Sequence, residues 1–398
     1  MLIINAEIIT MENETIKNGF IYIKGKKIEK IGSMENLNIK TNHFIDAQGK
    51  LVLPGFIDAH CHIGMRDDGI GFEGNDVNEE TQPITPHLRA IDAINSYDDC
   101  FLEALNAGIT TVLTGPGSAN PIAGSWCAIK TVSDRIDDMI VKEPVGMKFS
   151  LGENPKQTYN YRSETPITRM GVTALIREQL FKAKRYISDL ELSKESEKDE
   201  ESDLIDPPEY DAKCEALIPV LKREVKAFFH AHRIDDIFTA IRISEEFNLD
   251  YVLVHATEGH LIAEKLAKIN PPIIVGPIIG DRSKPEIKAH TTKTAGVLAK
   301  AGIDCAICTD HPENPIQYLA LCAAIAAKDG MGATKALQSI TINPARIAGI
   351  DDRVGSIKVS KDADILLFDQ NPLGVMAFPT HVIINGNLVK GEFSEQQD

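Results

Sequence analysis

The chain has 398 residues, 43% of them hydrophobic, enough to bury a large core and to build one large domain beside a small one. Its formal charge of -16, from 58 acidic and 42 basic residues, argues against the basic surface that phosphate backbones require, so no nucleic-acid partner is expected. The longest apolar stretches, such as 318–327, are too short to span a bilayer, the N-terminal stretch lacks the marks of a signal peptide, and the seven cysteines are scattered and odd in number; a cytoplasmic protein with no membrane partner is expected.

The first fifty or so residues alternate short β-rich runs (LIINAEIIT, GFIYIKG, KIEKIG) with turn residues, the pattern of small antiparallel strands. Next comes LVLPGFIDAHCH, residues 51–62, where the turn signal Pro54-Gly55 precedes an apolar strand ending in His60 and His62. Side chains at i and i+2 of a strand share a face, so two imidazoles point together while Cys61 points away, which is half of a metal site.

An amphipathic helix is predicted over 96–106, stopped by Gly108 and followed by the strand ITTVLT. The glycine-rich GPGSANPIAGS, residues 115–125, lacks a Gly-Lys-Ser/Thr ending and is therefore taken as a pocket-shaping loop rather than a phosphate cradle, with Asn120 and Ser125 as substrate-contact candidates. In VGMKFSLGENPK, residues 145–156, Lys148 stands inside an apolar run where an ammonium is poorly solvated, and Glu153 sits just past the strand. Residues 191–211 are acidic and broken by Pro207-Pro208, the composition of a mobile surface insertion.

AFFHAHRIDDI ends an apolar run in His230 and His232, and a helix is predicted over 235–247 before YVLVHATEGH, which sets His255 at the end of a buried strand. GPIIGDRSKPE, residues 276–286, is a second loop, whose Arg282 could grip a substrate carboxylate in fork geometry. A helix over 292–301 then leads through Gly302 to DCAICTDHP, with Asp310 and His311 at its end. Cys305 and Cys308 in this run are spaced i, i+3, so on a strand they face opposite sides and read as core rather than as a redox or zinc pair. VGSIKV, ADILLF and VIINGNLV close the chain as further short strands.

Helix and strand alternating over this length predict a parallel sheet, and at this size a (β/α)8 TIM barrel spanning 54–348. The β-rich ends, 1–53 and 349–398, are expected to complete one small β-sandwich.

The PGFIDAHCH motif, the ordered His, Lys or Glu, His, His, Asp positions after it, and the late NPARIAGIDDRVGSIKVSKDADILLFD resemble the amidohydrolase superfamily of metal-dependent hydrolases, including imidazolonepropionases and prolidase-like members. The resemblance covers nearly the whole chain. It implies that His60 and His62 bind metal, and that a carbamylated Lys148, or else Glu153, bridges two ions, with Lys148 preferred. It also implies a fifth-strand ligand that is His230 or His232, with His230 favoured for following the strand directly, then His255, and finally Asp310. One or two divalent ions are implied, zinc first, with manganese, iron, nickel or cobalt as alternatives. Water held by the ions becomes hydroxide, and Asp310 shuttles its proton to the leaving nitrogen, while His311 contacts substrate.

The activity so implied is hydrolysis of a C–N bond, amide or cyclic amide, in a small molecule, by a homo-oligomer. Prolidase-like dipeptidase action, deamination and an inactive oligomeric scaffold are the alternatives. Deamination is disfavoured because HAHR stands where single-metal deaminases carry His-x-x-Glu, and the scaffold because every ligand position has a candidate.

Overall fold

The computed structural model describes residues 1–12, 15–69, 71–198 and 204–395. At the N-terminus, β1 (Leu2–Ile9) pairs antiparallel with β2 (Thr15–Lys24), which turns back onto β3 (Lys27–Ser33). Gly25, with φ +58°, supplies the left-handed residue that so tight a hairpin needs. β4 (Phe44–Asp46) and β5 (Leu51–Pro54) run parallel to β1.

The chain then builds a second sheet of eight strands in sequence order: β6 (Phe56–Cys61), β7 (Ile109–Thr114), β8 (Ile122–Lys130), β9 (Ile140–Ser150), β10 (Lys226–Ala231), β11 (Tyr251–His255), β12 (Ile273–Val275) and β13 (Ala306–Ile307). The segment leaving β13 returns to β6, where the amide of Asp310 donates to the carbonyl of His60 (3.0 Å) and that of His62 to the carbonyl of His311 (2.9 Å). The sheet is thus a nearly closed barrel. Finally β14 (Ile365–Phe368) pairs antiparallel with β5, and β15 (His381–Ile384) and β16 (Asn387–Lys390) extend that edge, so both chain ends share one eight-stranded sheet.

Alternation along the strands sorts side chains into separate cores. Ile57, Ala59, Leu113, Trp126, Phe228, Val252, Val254, Ile274 and Cys308 form one buried cluster, the barrel interior. Phe56, Val112, Met147, Phe149, Ala227, Phe229, Leu253, Cys305 and Ile307 join the larger cluster beneath the helices. Cys305 and Cys308 therefore lie in different cores, both as free thiols. A third cluster, including Ile3, Ile8, Ile21, Ile45, Ile365 and Ile383, belongs to the sheet made by the chain ends.

The barrel departs from all-parallel order at one place, since β8 runs antiparallel to both β7 and β9. A parallel return needs a crossover of about a dozen residues or more, and residues 115–121 are too few and too rich in Gly and Pro to provide one. The acidic stretch also differs from a loop over its first part, because residues 191–196 continue the helix Arg169–Ser196. Its residues 199–203 lie outside the described ones. Predicted helices over 96–106, 235–247 and 292–301 are observed as Cys100–Asn106, Ile234–Phe247 and Thr294–Lys300.

A buried charge cluster pins the two sheets together. Lys130, at the end of β8, pairs with Asp364 and lies 3.3 Å from Asp362, which also pairs with Lys27 (2.7 Å) and Arg353 (2.9 Å). No described helix is long and apolar enough to cross a membrane.

Candidate metal centre

At one end of the barrel the sequence-predicted histidines converge. His60, His62 and Asp310 form one group that could hold a metal ion, and His230, His232 and His255 form another, the chosen donor atoms of each group lying within 4.8 Å of one another. All six line a single cavity of about 590 Å³ together with Lys148. Neither His230 nor His232 is set aside, because both lie on the inward face of β10 and its continuation, with ring centroids 4.6 Å apart.

Backbone irregularity aims several of these groups. The register of β6 against β7 shifts between Asp58 and Cys61, a bulge of the kind that re-aims side chains beside functional sites. On β11, Val252 and Val254 face the interior, so regular alternation would send His255 outward. Its left-handed backbone, φ 74°, followed by Ala256 at 43°, turns the ring inward, and Asp310 at φ 56° is held in the same unfavourable region. Each such residue costs about 1–3 kcal/mol and persists only where the surroundings enforce it.

Hydrogen bonds settle ring orientation. Nδ1 of His62 lies 2.6 Å from the Gly115 carbonyl and Nδ1 of His255 lies 2.7 Å from that of Gly276. A carbonyl only accepts, so each Nδ1 carries the proton and each Nε2 keeps its lone pair for another partner. The buried Nδ1 atoms of His60 and His230 have no partner among the described residues. His60 is further fixed by Trp126, stacked at 4.2 Å between centroids and 7° between planes. Gly115 permits that stack, since a Cβ there would come within 2.3 Å of the indole.

Electrostatics leave the groups ready for a cation. Burial, reinforced by the Lys148 charge, pushes His60 well below its ordinary pKa; burial and His255 do the same for His230, and burial and His230 for His232. Burial takes His255 down to about 4. These four imidazoles are therefore held in the neutral form that ligands must have. Burial would raise Asp310, but His255 and His60 outweigh it and hold the carboxylate well below its ordinary pKa, 3.2 Å from Nε2 of His60 and 3.6 Å from that of His62. Lys148, wholly buried on β9 with Nζ 3.4 Å from Nε2 of His60, is lowered to about 8 by desolvation. Neutral nitrogen donors with unshared lone pairs beside an ionised carboxylate fit a divalent ion.

The other predicted residues lie elsewhere. Glu153 is not in the cavity wall, because its Oε2 accepts from the amide of Glu286 (3.1 Å) and its own amide donates back to Glu286 (2.7 Å). Asn120 is buried away from the cavity, its amide nitrogen donating to Glu79 and Thr85 and its oxygen accepting from Tyr159. Ser125 is buried within β8 itself, a consequence of the hairpin that replaces the expected rim loop. Arg282 donates to the carbonyl of His290 on the surface, and His311 is buried, its Nδ1 accepting from the amide of Ile316. None of these five lines the cavity.

Three further residues of the site carry no sequence signal of their own, and a fourth, Asp58, stands within PGFIDAHCH with no role assigned to it by the sequence. Asp58 accepts from the amides of His60 and Thr309. Trp126 packs under His60. Glu286, 1% exposed, and Lys284 meet the second group of histidines from the loop after β12.

Comparison with known proteins gives the family. The profile described as "Amidohydrolase family" matches residues 221–389. The chain is 31% identical over 362 residues to "Amidohydrolase tasK" of Hapsidospora irregularis, covering 86% of this chain but 36% of that protein, so it spans about a third of that relative's length. It is 23% identical to a 5-methylthioadenosine/S-adenosylhomocysteine deaminase of Thermoanaerobacter pseudethanolicus, over 98% of this chain and 93% of the other. The crystal structure of an amidohydrolase from Thermotoga maritima superposes with a TM-score of 0.92 at 38% identity, covering 98% of this chain and 100% of that one. With a His and Asp constellation at the mouth of its barrel, the chain belongs to the amidohydrolase family.

Proposed function

We propose that this chain hydrolyses an amide or cyclic amide bond of a small molecule with the help of two divalent ions, zinc suiting the donors best. His60, His62 and Asp310 would hold one, His230, His232 and His255 the other, and Lys148, as its carbamate, would serve both. The observation that carries this reading is the convergence of both groups and Lys148 on one cavity. When bound, such ions polarise a carbonyl and bring the pKa of water near neutrality.

The chain's own residues do the rest. The carbonyls of Gly115 and Gly276 fix which nitrogen of His62 and His255 faces the cavity. Trp126 holds the His60 ring flat and, with the barrel core beneath, keeps bulk water from that side. Asp310, ionised at the cavity floor, accepts the proton of the attacking water on a carboxylate oxygen and returns it to the leaving nitrogen, which otherwise departs poorly.

A deaminase relative makes deamination the second reading. Arg233 occupies the position where a His-x-x-Glu would place its carboxylate, which favours amide hydrolysis. Zinc- or manganese-loaded protein assayed against dipeptides, N-acyl amino acids, cyclic ureides and adenosine analogues separates the two. Amine or acid release from an amide is expected, and ammonia release from adenosine analogues alone would overturn the reading.

The separate core cluster of the end-to-end sheet supports a small β-sandwich made of 1–53 and 349–398, standing beside the barrel of 54–348.

A further inference from the structure

We propose that Glu286 is a fourth donor of the second group, so that its cation is held by three imidazoles and a carboxylate delivered from the loop after β12. The inference rests on the metal reading above and adds a residue from outside the strand ends.

Glu286 is buried, and its Oε1 lies 3.7 Å from Nε2 of His232 and 3.9 Å from Nε2 of His230. Those separations are too long for direct hydrogen bonds. Donors at about 2.0–2.2 Å from a tetrahedral zinc stand roughly 3.3–3.6 Å apart, so Oε1 needs to close by only a few tenths of an ångström to share an ion with both rings.

The carboxylate is also held for this purpose. Its Oε2 accepts from the amide of Glu153 (2.7 Å), while Glu153 reciprocates onto the amide of Glu286, locking the loop after β12 to the loop after β9. Gly152, at φ +87°, opens the space, because a Cβ there would sit 2.6 Å from Oε2. With Oε2 engaged, Oε1 is the atom left to face the histidines.

A buried carboxylate needs a countercharge. In this structure Lys284 supplies it, its Nζ 2.8 Å from Oε1 and 2.7 Å from Oδ1 of Asn154, on a side chain 29% exposed. That ammonium already holds Oε1, so lysine and a cation of the histidine group would compete for it.

Zinc affinity, measured by competition with a chromophoric chelator, and the visible spectrum of the cobalt-loaded protein test this on the full chain and on two variants. Glu286→Gln is expected to weaken binding at one site at least about tenfold and to change the cobalt bands. Lys284→Met is expected to tighten it several-fold by removing the competitor. Unchanged affinity and spectrum in both variants would overturn the assignment while leaving the metal reading intact, whereas wild-type protein that takes up no zinc would overturn both. Should Glu286→Gln fail to fold, Lys284→Met decides, and wild-type affinity in it counts against Glu286.

Discussion

The carboxylate of Asp58 accepts hydrogen bonds from the amide and the hydroxyl of Thr309, 251 residues away in sequence, and from the amide of His60. One buried side chain on β6 thereby fixes both the first histidine of the site and the residue before Asp310. It closes the barrel at the point where the chemistry is assembled.

Asp58→Ala leaves those donors buried without partners, at about 1–3 kcal/mol each when a buried group loses its acceptor. A lowered denaturation midpoint is expected together with a loss of metal affinity, measured by urea titration and zinc competition. A surface substitution such as Lys40→Ala serves as the unaffected control.

Asp310→Asn preserves shape but removes the group that moves the proton. A fall in kcat of about 10²–10⁴ is expected with a smaller change in KM, since proton transfer by one positioned group is worth that much. Steady-state kinetics on any substrate the screen finds will show it, and full activity in this variant would remove Asp310 from its role.

Stripping metal with a chelator is expected to abolish turnover yet leave the barrel folded, because its cores are apolar and independent of the histidines. Far-UV circular dichroism should be unchanged. Zinc at about 100 times its Kd should then restore activity and raise stability by roughly 2.7 kcal/mol, read as a higher Tm.

The clamp between the sheets gives a pH-dependent prediction away from the site. Burial alone would raise the pKa of Asp362, but Lys130, Lys27 and Arg353 outweigh it and hold the carboxylate below its ordinary 3.8. A depressed folded-state pKa contributes stability that is present above pH 3.8 and lost as pH falls through the lower folded value. Asp362→Asn should therefore lower stability at neutral pH, by less than the about 3–5 kcal/mol of a wholly uncompensated buried charge, because Lys130 keeps Asp364 and Lys27 and Arg353 reach solvent. It should also flatten the acid limb of the stability profile, measured by urea unfolding at several pH values.

Much of the site is legible in the sequence because strand ends carry local signatures. The His60 and His62 pair, Lys148 within an apolar run, the His230 and His232 pair and His255 after YVLV all lie on the cavity that the two-residue period of strands brings together. The same period left His230 and His232 unresolved, since both share one face. It also hid the turn at His255, which depends on a left-handed backbone that the residue type does not announce. The antiparallel β8 escaped notice because strand propensity carries no direction, and with it went the placements of Asn120 and Ser125. Trp126, Lys284 and Glu286 act through contacts between distant segments, so no local pattern marks them; Asp58 lies within PGFIDAHCH, but its bond to Thr309 spans 251 residues and is not legible there, and Glu153 was drawn away by its exchange of hydrogen bonds with Glu286.

The most direct test is anomalous diffraction from crystals of zinc-loaded protein, recorded on both sides of the zinc absorption edge. The account predicts one peak among His60, His62 and Asp310 and a second among His230, His232 and His255. Absence of zinc from both groups in fully loaded protein, or zinc bound only elsewhere on the chain, would contradict it.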